Sequence, residues 1–229
     1  MDLKEINNYG QEMVECLKLK TSPVAVKLIP TGGEIPEGIK QVGETMRHCQ
    51  MIDHVRRTGE EFYSLGENQM CKGGSASMGL GTMPAKVGSG EFYYKGLKHF
   101  SNINSARRTV ENAPMLPPNS TRAILYSPLE KTSFEPDVVV VICNPKQVML
   151  LTQAFMYKSG GRLEVSFAGK QSICSDGVVQ AYRDGKIGIT VGCSGSRAYT
   201  DIGDEEMIMG IPVERLPELI GDLKAICAE

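Results

Sequence analysis

The sequence predicts a mixed α/β (or α+β) fold of two pseudo-symmetric strand-helix-strand halves, with N- and C-terminal helices packed on the sheets. Three observations carry this expectation. Two strand-sized apolar runs, 23–29 (PVAVKLI) and 137–143 (DVVVVIC), are each followed by a helix-periodic stretch. The order strand, helix, strand, turn recurs in the second half. Amphipathic helices read at both ends. All 229 residues are expected to form one globular domain, with halves at about 1–130 and 131–229.

Taken in order, Leu3, Ile6, Met13, Val14 and Leu17 recur at helical spacing and predict an opening helix. Residues 23–29 are β-branched and strand-like, a glycine loop follows, and 44–57 reads as a helix stopped by Gly59. A short strand at 62–65 leads to a turn at Cys71-Lys72-Gly73-Gly74. In the second half, 137–143 is a buried strand, 145–158 a helix closed by Gly160-Gly161, 162–167 another strand, and Cys174-Ser175-Asp176-Gly177 a turn before a helix at 178–183. An offset of 103 residues aligns Cys71 with Cys174 and Cys49 with Thr152. Ser127-Pro128-Leu129-Glu130-Lys131 echoes Ile211-Pro212-Val213-Glu214-Arg215, each after an apolar strand. Pro212 opens a last helix with Leu216, Leu219, Ile220, Leu223 and Cys227 on one stripe. The linker between halves is expected at 114–119, where three prolines forbid a helix interior, or at the turn from Pro128 to Pro136.

Charge excludes one class of partner. With 25 Lys plus Arg against 27 Asp plus Glu, the net charge of −2 offers no concentrated basic surface for nucleic acid. No apolar run approaches the roughly 20 residues needed to cross a bilayer. The first residues lack a basic segment followed by an apolar one, so a cytoplasmic, reducing location is expected, where seven cysteines do not form a disulfide framework.

The cysteines divide by setting. Cys16 and Cys227 sit on apolar helix stripes and Cys143 ends the most apolar strand, so these three read as core. Cys49 lies on a helix in Arg47-His48-Cys49-Gln50. Cys71 and Cys174 lie at turns before helices, and Cys193 lies in the glycine-flanked turn Gly192-Cys193-Ser194-Gly195-Ser196-Arg197. Such turns present backbone N–H groups that favour a thiolate or an anion. Four thiolates distant in sequence suit a [4Fe–4S] cluster or a tetrahedral zinc, although no C-x-x-C pair is present. Two other readings stay open. One is a metal-free module binding a small anionic molecule between the halves; the other is a thiol enzyme using Cys193 or Cys71. Gly192, Ser194, Gly195, Arg197 and Gln50 are the expected ligand-binding residues beside the four cysteines.

The three histidines, His48, His54 and His99, are scattered and read as surface or hydrogen-bonded groups. Lys95, Lys98, His99, Arg107 and Arg108 make a locally basic stretch able to bind a carboxylate or phosphate, or simply to face solvent. Asp201, Asp204, Glu205 and Glu206 read as an exposed acidic loop. No nucleotide-binding glycine motif, nucleophile elbow or H-E-x-x-H occurs.

The pieces Arg47-His48-Cys49-Gln50, Cys71-Lys72-Gly73-Gly74 with Gly79-Leu80-Gly81, Cys174 with Gly177, and Gly192-Cys193-Ser194-Gly195-Ser196-Arg197 followed by Glu206-Met207 and Ile211-Pro212 resemble an uncharacterised prokaryotic family. It is the family called domain of unknown function one-six-nine, found largely in archaea and anaerobic bacteria, and the resemblance spans nearly the whole chain. The family name carries no activity. The resemblance implies that Cys49, Cys71, Cys174, Cys193 and Arg197 fall at its motif positions, and that a redox-active anaerobic cell is the setting. The leading expectation is a cysteine-ligated iron–sulfur protein, with a redox partner protein or a small anionic molecule as its counterpart.

Overall fold

In the computed structural model, which describes residues 1–228, six strands form one antiparallel sheet spanning both halves. Helix α1 (Leu3–Leu17) opens the chain behind a capping box, in which Asp2 accepts from the Glu5 N–H and Glu5 reaches back to the Asp2 N–H. Strand β1 (Val24–Pro30), helix α2 (His48–Thr58), strand β2 (Phe62–Leu65), short helices α3 (Lys72–Ser77) and α4 (Ala85–Gly88), a π-helical turn (Phe92–Gly96), helix α5 (Ile103–Glu111) and strand β3 (Thr121–Pro128) complete the first half. The second half runs through β4 (Val138–Cys143), α6 (Pro145–Met156), a π-helix (Ser172–Val179) continuing into α7 (Gln180–Asp184), β5 (Gly188–Thr190), α8 (Ser194–Tyr199), β6 (Met207–Pro212) and α9 (Leu216–Cys227).

The strand order is β2-β3-β1-β4-β6-β5. The hydrogen-bonded registers repeat from either edge: Val24 faces Pro128 as Val138 faces Pro212, and Phe62 faces Tyr126 as Gly188 faces Gly210. Alternation along the strands divides the interior into two cores. On one face Ala25, Leu125, Val139, Met209 and Ile211 pack beneath α1, α6 and α9. On the other, Val26, Ile124, Tyr126, Val140 and Ile208 pack beneath α2 and the π-helix.

This division corrects the 103-residue alignment. That offset pairs α2 with α6, yet the buried residues of α2 (Met51, Ile52, Val55) and those of α6 (Val148, Leu151, Ala154) lie in opposite cores. The registers instead set α2, which precedes β2, against the π-helix and α7, which precede β5. Two further expectations change. Residues 162–167 form no strand: the alternation of R-L-E-V-S-F belongs to an irregular stretch between α6 and the π-helix that is mostly exposed and pairs with no strand. Cys174 is inside the first turn of the π-helix rather than in a turn before a helix.

The π-helix lies against the sheet backbone. A Cβ on Gly210 would sit 2.0 Å from the Gly177 carbonyl oxygen, and one on Gly188 2.1 Å from that of Asp176. The cross-strand pair Gly188–Gly210 therefore creates a patch without side chains on which the helix rests. Substituting Gly210→Ala should destabilise the protein by about 1–3 kcal/mol through forced backbone displacement. Gly221→Ala, mid-helix in α9 with open space around its Cβ, should stabilise it by about 0.5–1 kcal/mol. Urea denaturation midpoints test both signs.

Candidate functional site

Cys49, Cys71, Cys174 and Cys193 all line one cavity of about 680 Å³. Local structure puts each there. Cys49 is in the first turn of α2, whose N-cap Arg47 has its N–H bound by the Gln50 side chain at 3.1 Å. Cys71 is the N-cap of α3 and Cys193 that of α8. Cys174 hangs from the first turn of the π-helix, whose Ser172 hydroxyl bonds that of Thr190 on β5 at 2.6 Å. All four thus stand where a helix begins and backbone N–H groups lack helical acceptors.

Glycines let the thiols approach. A Cβ on Gly74 would fall 3.1 Å from Cys174 Sγ and 3.5 Å from Cys71 Sγ, so this residue separates the two sulfurs without filling the gap. A Cβ on Gly195 would lie 3.7 Å from Cys193 Sγ. Among the described residues, no group of three or more His, Cys, Asp and Glu is gathered closely enough to hold one metal ion.

Cys174 is buried, Cys49 and Cys193 are half-buried, and Cys71 is exposed at the rim. Burial, and then the proximity of Cys193 and Cys71, pushes the Cys49 thiol up to about 12. Burial, followed by the three neighbouring thiols, moves Cys174 well up as well. Both causes favour the neutral thiol until a cation enters. Much of the rest of the wall is apolar, with Pro84, Val87, Phe92, Tyr93 and Leu97, and Lys72 and Lys170 supply positive charge. Arg47 caps the rim, its guanidinium 3.6 Å from the centroid of the Tyr199 ring.

The expected ligand residues separate. Ser194 and Gly195 line the cavity; Gly192, Gln50 and Arg197 are not among its lining residues. Arg197 is not a free anion donor. Its Nε and Nη2 donate to the Val191 carbonyl at 3.0 and 2.6 Å, Nη2 also to that of Glu206 at 2.7 Å, and Nη1 to that of Gly203. It clamps the segment carrying Cys193. Gly192 has φ +84°, and a Cβ there would crowd Ser196 Oγ at 2.9 Å, which explains the glycine before this cysteine. Gln50 serves the α2 cap.

The acidic loop is more than exposed surface. Arg56, 5% exposed, bonds Asp53 at 2.8 Å and both carboxylate oxygens of Glu206, while Asp53 accepts from the Asp201 N–H. This network ties α2 to the loop after α8, and so relates Cys49 to Cys193. His48 is buried beside the cavity with Nδ1 2.9 Å from the Tyr126 hydroxyl, and burial lowers its pKa to about 3, keeping it neutral. His54 pairs with Glu60. Sequence reasoning missed His48–Tyr126 because the contact joins residues 78 positions apart.

Cys16, Cys143 and Cys227 lie in or against the opposite core, away from the cavity. The sign of the pH dependence follows for the metal-free protein. Cys49 and Cys143, both pushed up to about 12 mainly by burial, remain neutral when folded but ionise near 9 when unfolded. Their contribution to stability is present below pH 9 and lost as pH rises toward 12. Urea midpoints of metal-free protein should fall from pH 8 to pH 11, with a smaller fall in Cys49→Ala.

The sequence pattern of the DUF169 family, described as uncharacterised ArCR, matches residues 12–222. The chain is 36% identical over 221 residues to the uncharacterized protein MJ0308 of Methanocaldococcus jannaschii, covering 96% of this chain and 94% of that protein. No solved structure matches the chain. A family match over most of its length and a relative of nearly the same span establish that this chain is a member of the uncharacterised DUF169 family.

Proposed function

We propose that the protein is an iron–sulfur protein in which Cys49, Cys71, Cys174 and Cys193 hold a [4Fe–4S] cluster for electron transfer or a redox step on a small molecule. One observation carries the reading. The four cysteines, spread over 145 positions from 49 to 193, line one cavity, whereas the other three sit across the sheet. Their chemistry fits the group: buried, mutually repelling thiols are costly as thiolates without a cation, and bound iron reverses that balance. A single zinc ion needs its sulfurs drawn to about 2.3 Å of one point. A cube assigns each thiolate its own iron, which suits sulfurs spread around a wall.

When bound, the cluster supplies one-electron transfer at a potential set by nearby hydrogen bonds and burial. The chain's own residues do the rest. Gly74 keeps the space between the Cys174 and Cys71 sulfurs clear, and the Arg197 clamp holds the Cys193 turn. The volume, within the roughly 300–1,000 Å³ of small-ligand pockets, leaves room for a substrate beside a cluster. At the rim, exposed Cys71, Met70 and Tyr199 give a redox partner or small molecule access. No helix among the described residues is long and apolar enough to cross a membrane, and seven free thiols suit a reducing cytoplasm.

Anaerobic reconstitution with iron and sulfide should yield brown protein with about four irons and four sulfides per chain. Serine replacement of Cys49, Cys71, Cys174 or Cys193 should reduce iron content or cluster lifetime, while Cys16→Ser and Cys227→Ser should retain it. Colourless, iron-free protein after reconstitution overturns the reading.

A further inference from the structure

A second cavity, of about 330 Å³, lies between α5, the residues after it, the irregular stretch before the π-helix, and the π-helix itself. Two cations face it, Arg108 from α5 and Lys170 from the irregular stretch. The Arg108 guanidinium has no hydrogen-bond or ion-pair partner among the described residues, whereas its neighbour Arg107 pairs with Glu111 and bonds Asn104. Lys170 Nζ makes one long hydrogen bond, 3.4 Å to the Gly169 carbonyl, and sits 5.9 Å from the centroid of the Phe100 ring. Phe100 and Phe167 form apolar walls, and Ser105 lines the cavity from the same side of α5 as Arg108. Asp176 lines the floor, 3% exposed, its carboxylate accepting from the Ala168 N–H and the Thr190 hydroxyl, each at 3.4 Å.

Two positive side chains against one carboxylate leave the cavity net positive. A guanidinium with its fork unused matches an oxyanion, which it can bind bidentately. Two aromatic walls beside that charge suit a planar apolar body. We infer that this cavity is a binding site for a small molecule carrying a carboxylate or phosphate on a planar apolar group, held by Arg108 and Lys170 and walled by Phe100 and Phe167. The site does not depend on the cluster reading. Lys170 lines both cavities, so a molecule bound here abuts the cysteine cavity without entering it.

The test uses the full-length protein without metal, titrated calorimetrically at fixed ionic strength with two probes, inorganic phosphate and benzoate. At least one should bind, and the one that does names the oxyanion. Arg108→Ala and Lys170→Ala should each weaken binding about tenfold, with unchanged urea midpoints because Arg108 is exposed and Lys170 half-exposed. Arg107→Ala should bind as the parent. Phe167→Ala should weaken benzoate and leave phosphate unaffected. Failure of both probes to bind at millimolar concentration, or parental affinity in Arg108→Ala, overturns the inference. Equal benzoate affinity in Phe167→Ala overturns the aromatic wall. Neither result touches the iron content of reconstituted protein, which tests the cluster separately.

Discussion

The contact on which the rest of the architecture depends is backbone against backbone: the π-helix at Gly177 and Asp176 resting on the bare patch made by Gly188 and Gly210. Side chains at either sheet position would lift the helix away. With none there, its carbonyls approach the strands more closely than ordinary packing allows, and all eight of its residues are buried. The widened π turn is a geometry that proteins keep mostly at functional places. Here it fixes Cys174 at the bottom of the cavity and Asp176 on the floor of the neighbouring one.

The other three thiols are held by different means. Cys49 rides on a helix fastened to the loop after α8 through the nearly buried Arg56, which pairs with Glu206, and through Asp53, which accepts from the Asp201 N–H. Cys193 is held in a turn that Arg197 ties to three backbone carbonyls. Cys71 caps a helix of six residues containing two glycines, and it is the most exposed of the four. Burial is therefore graded, from a cysteine in the helix that lies on the sheet to one at the surface. Charged groups that look like ligand binders in the sequence are spent on this support: the Arg197 guanidinium uses four of its five N–H donors on three backbone carbonyls and has no fork left for an anion, and a glutamate committed to Arg56 is no longer a loose surface charge.

Much of the sheet was legible because alternation is local. β1 and β4 declare themselves by β-branched runs, and the Pro128 and Pro212 motifs mark the ends of β3 and β6. The misreadings have a common cause, which is that periodicity says how a segment is buried but not against what. Arg162 to Phe167 alternates like a strand yet finds no partner, and α2 and α6, alike in pattern, settle on opposite faces. Short helices rich in glycine, such as 72–77, have no signal that propensity can read. Three cysteines lie in or against the apolar core, and four stand at helix starts. What their spacing could not reveal was that Cys49, Cys71, Cys174 and Cys193 line one cavity, because that follows from the tertiary packing.

The two-core arrangement has a practical corollary. Helices α1 and α9 pack together on the side of the sheet away from the four cavity cysteines, joined by Lys224 and Glu12 at 2.6 Å. Immobilising the molecule on an electrode through either of these helices would turn the cysteine mouth outward to the electrolyte, leaving the strand layer as a spacer between the conductor and the sulfurs.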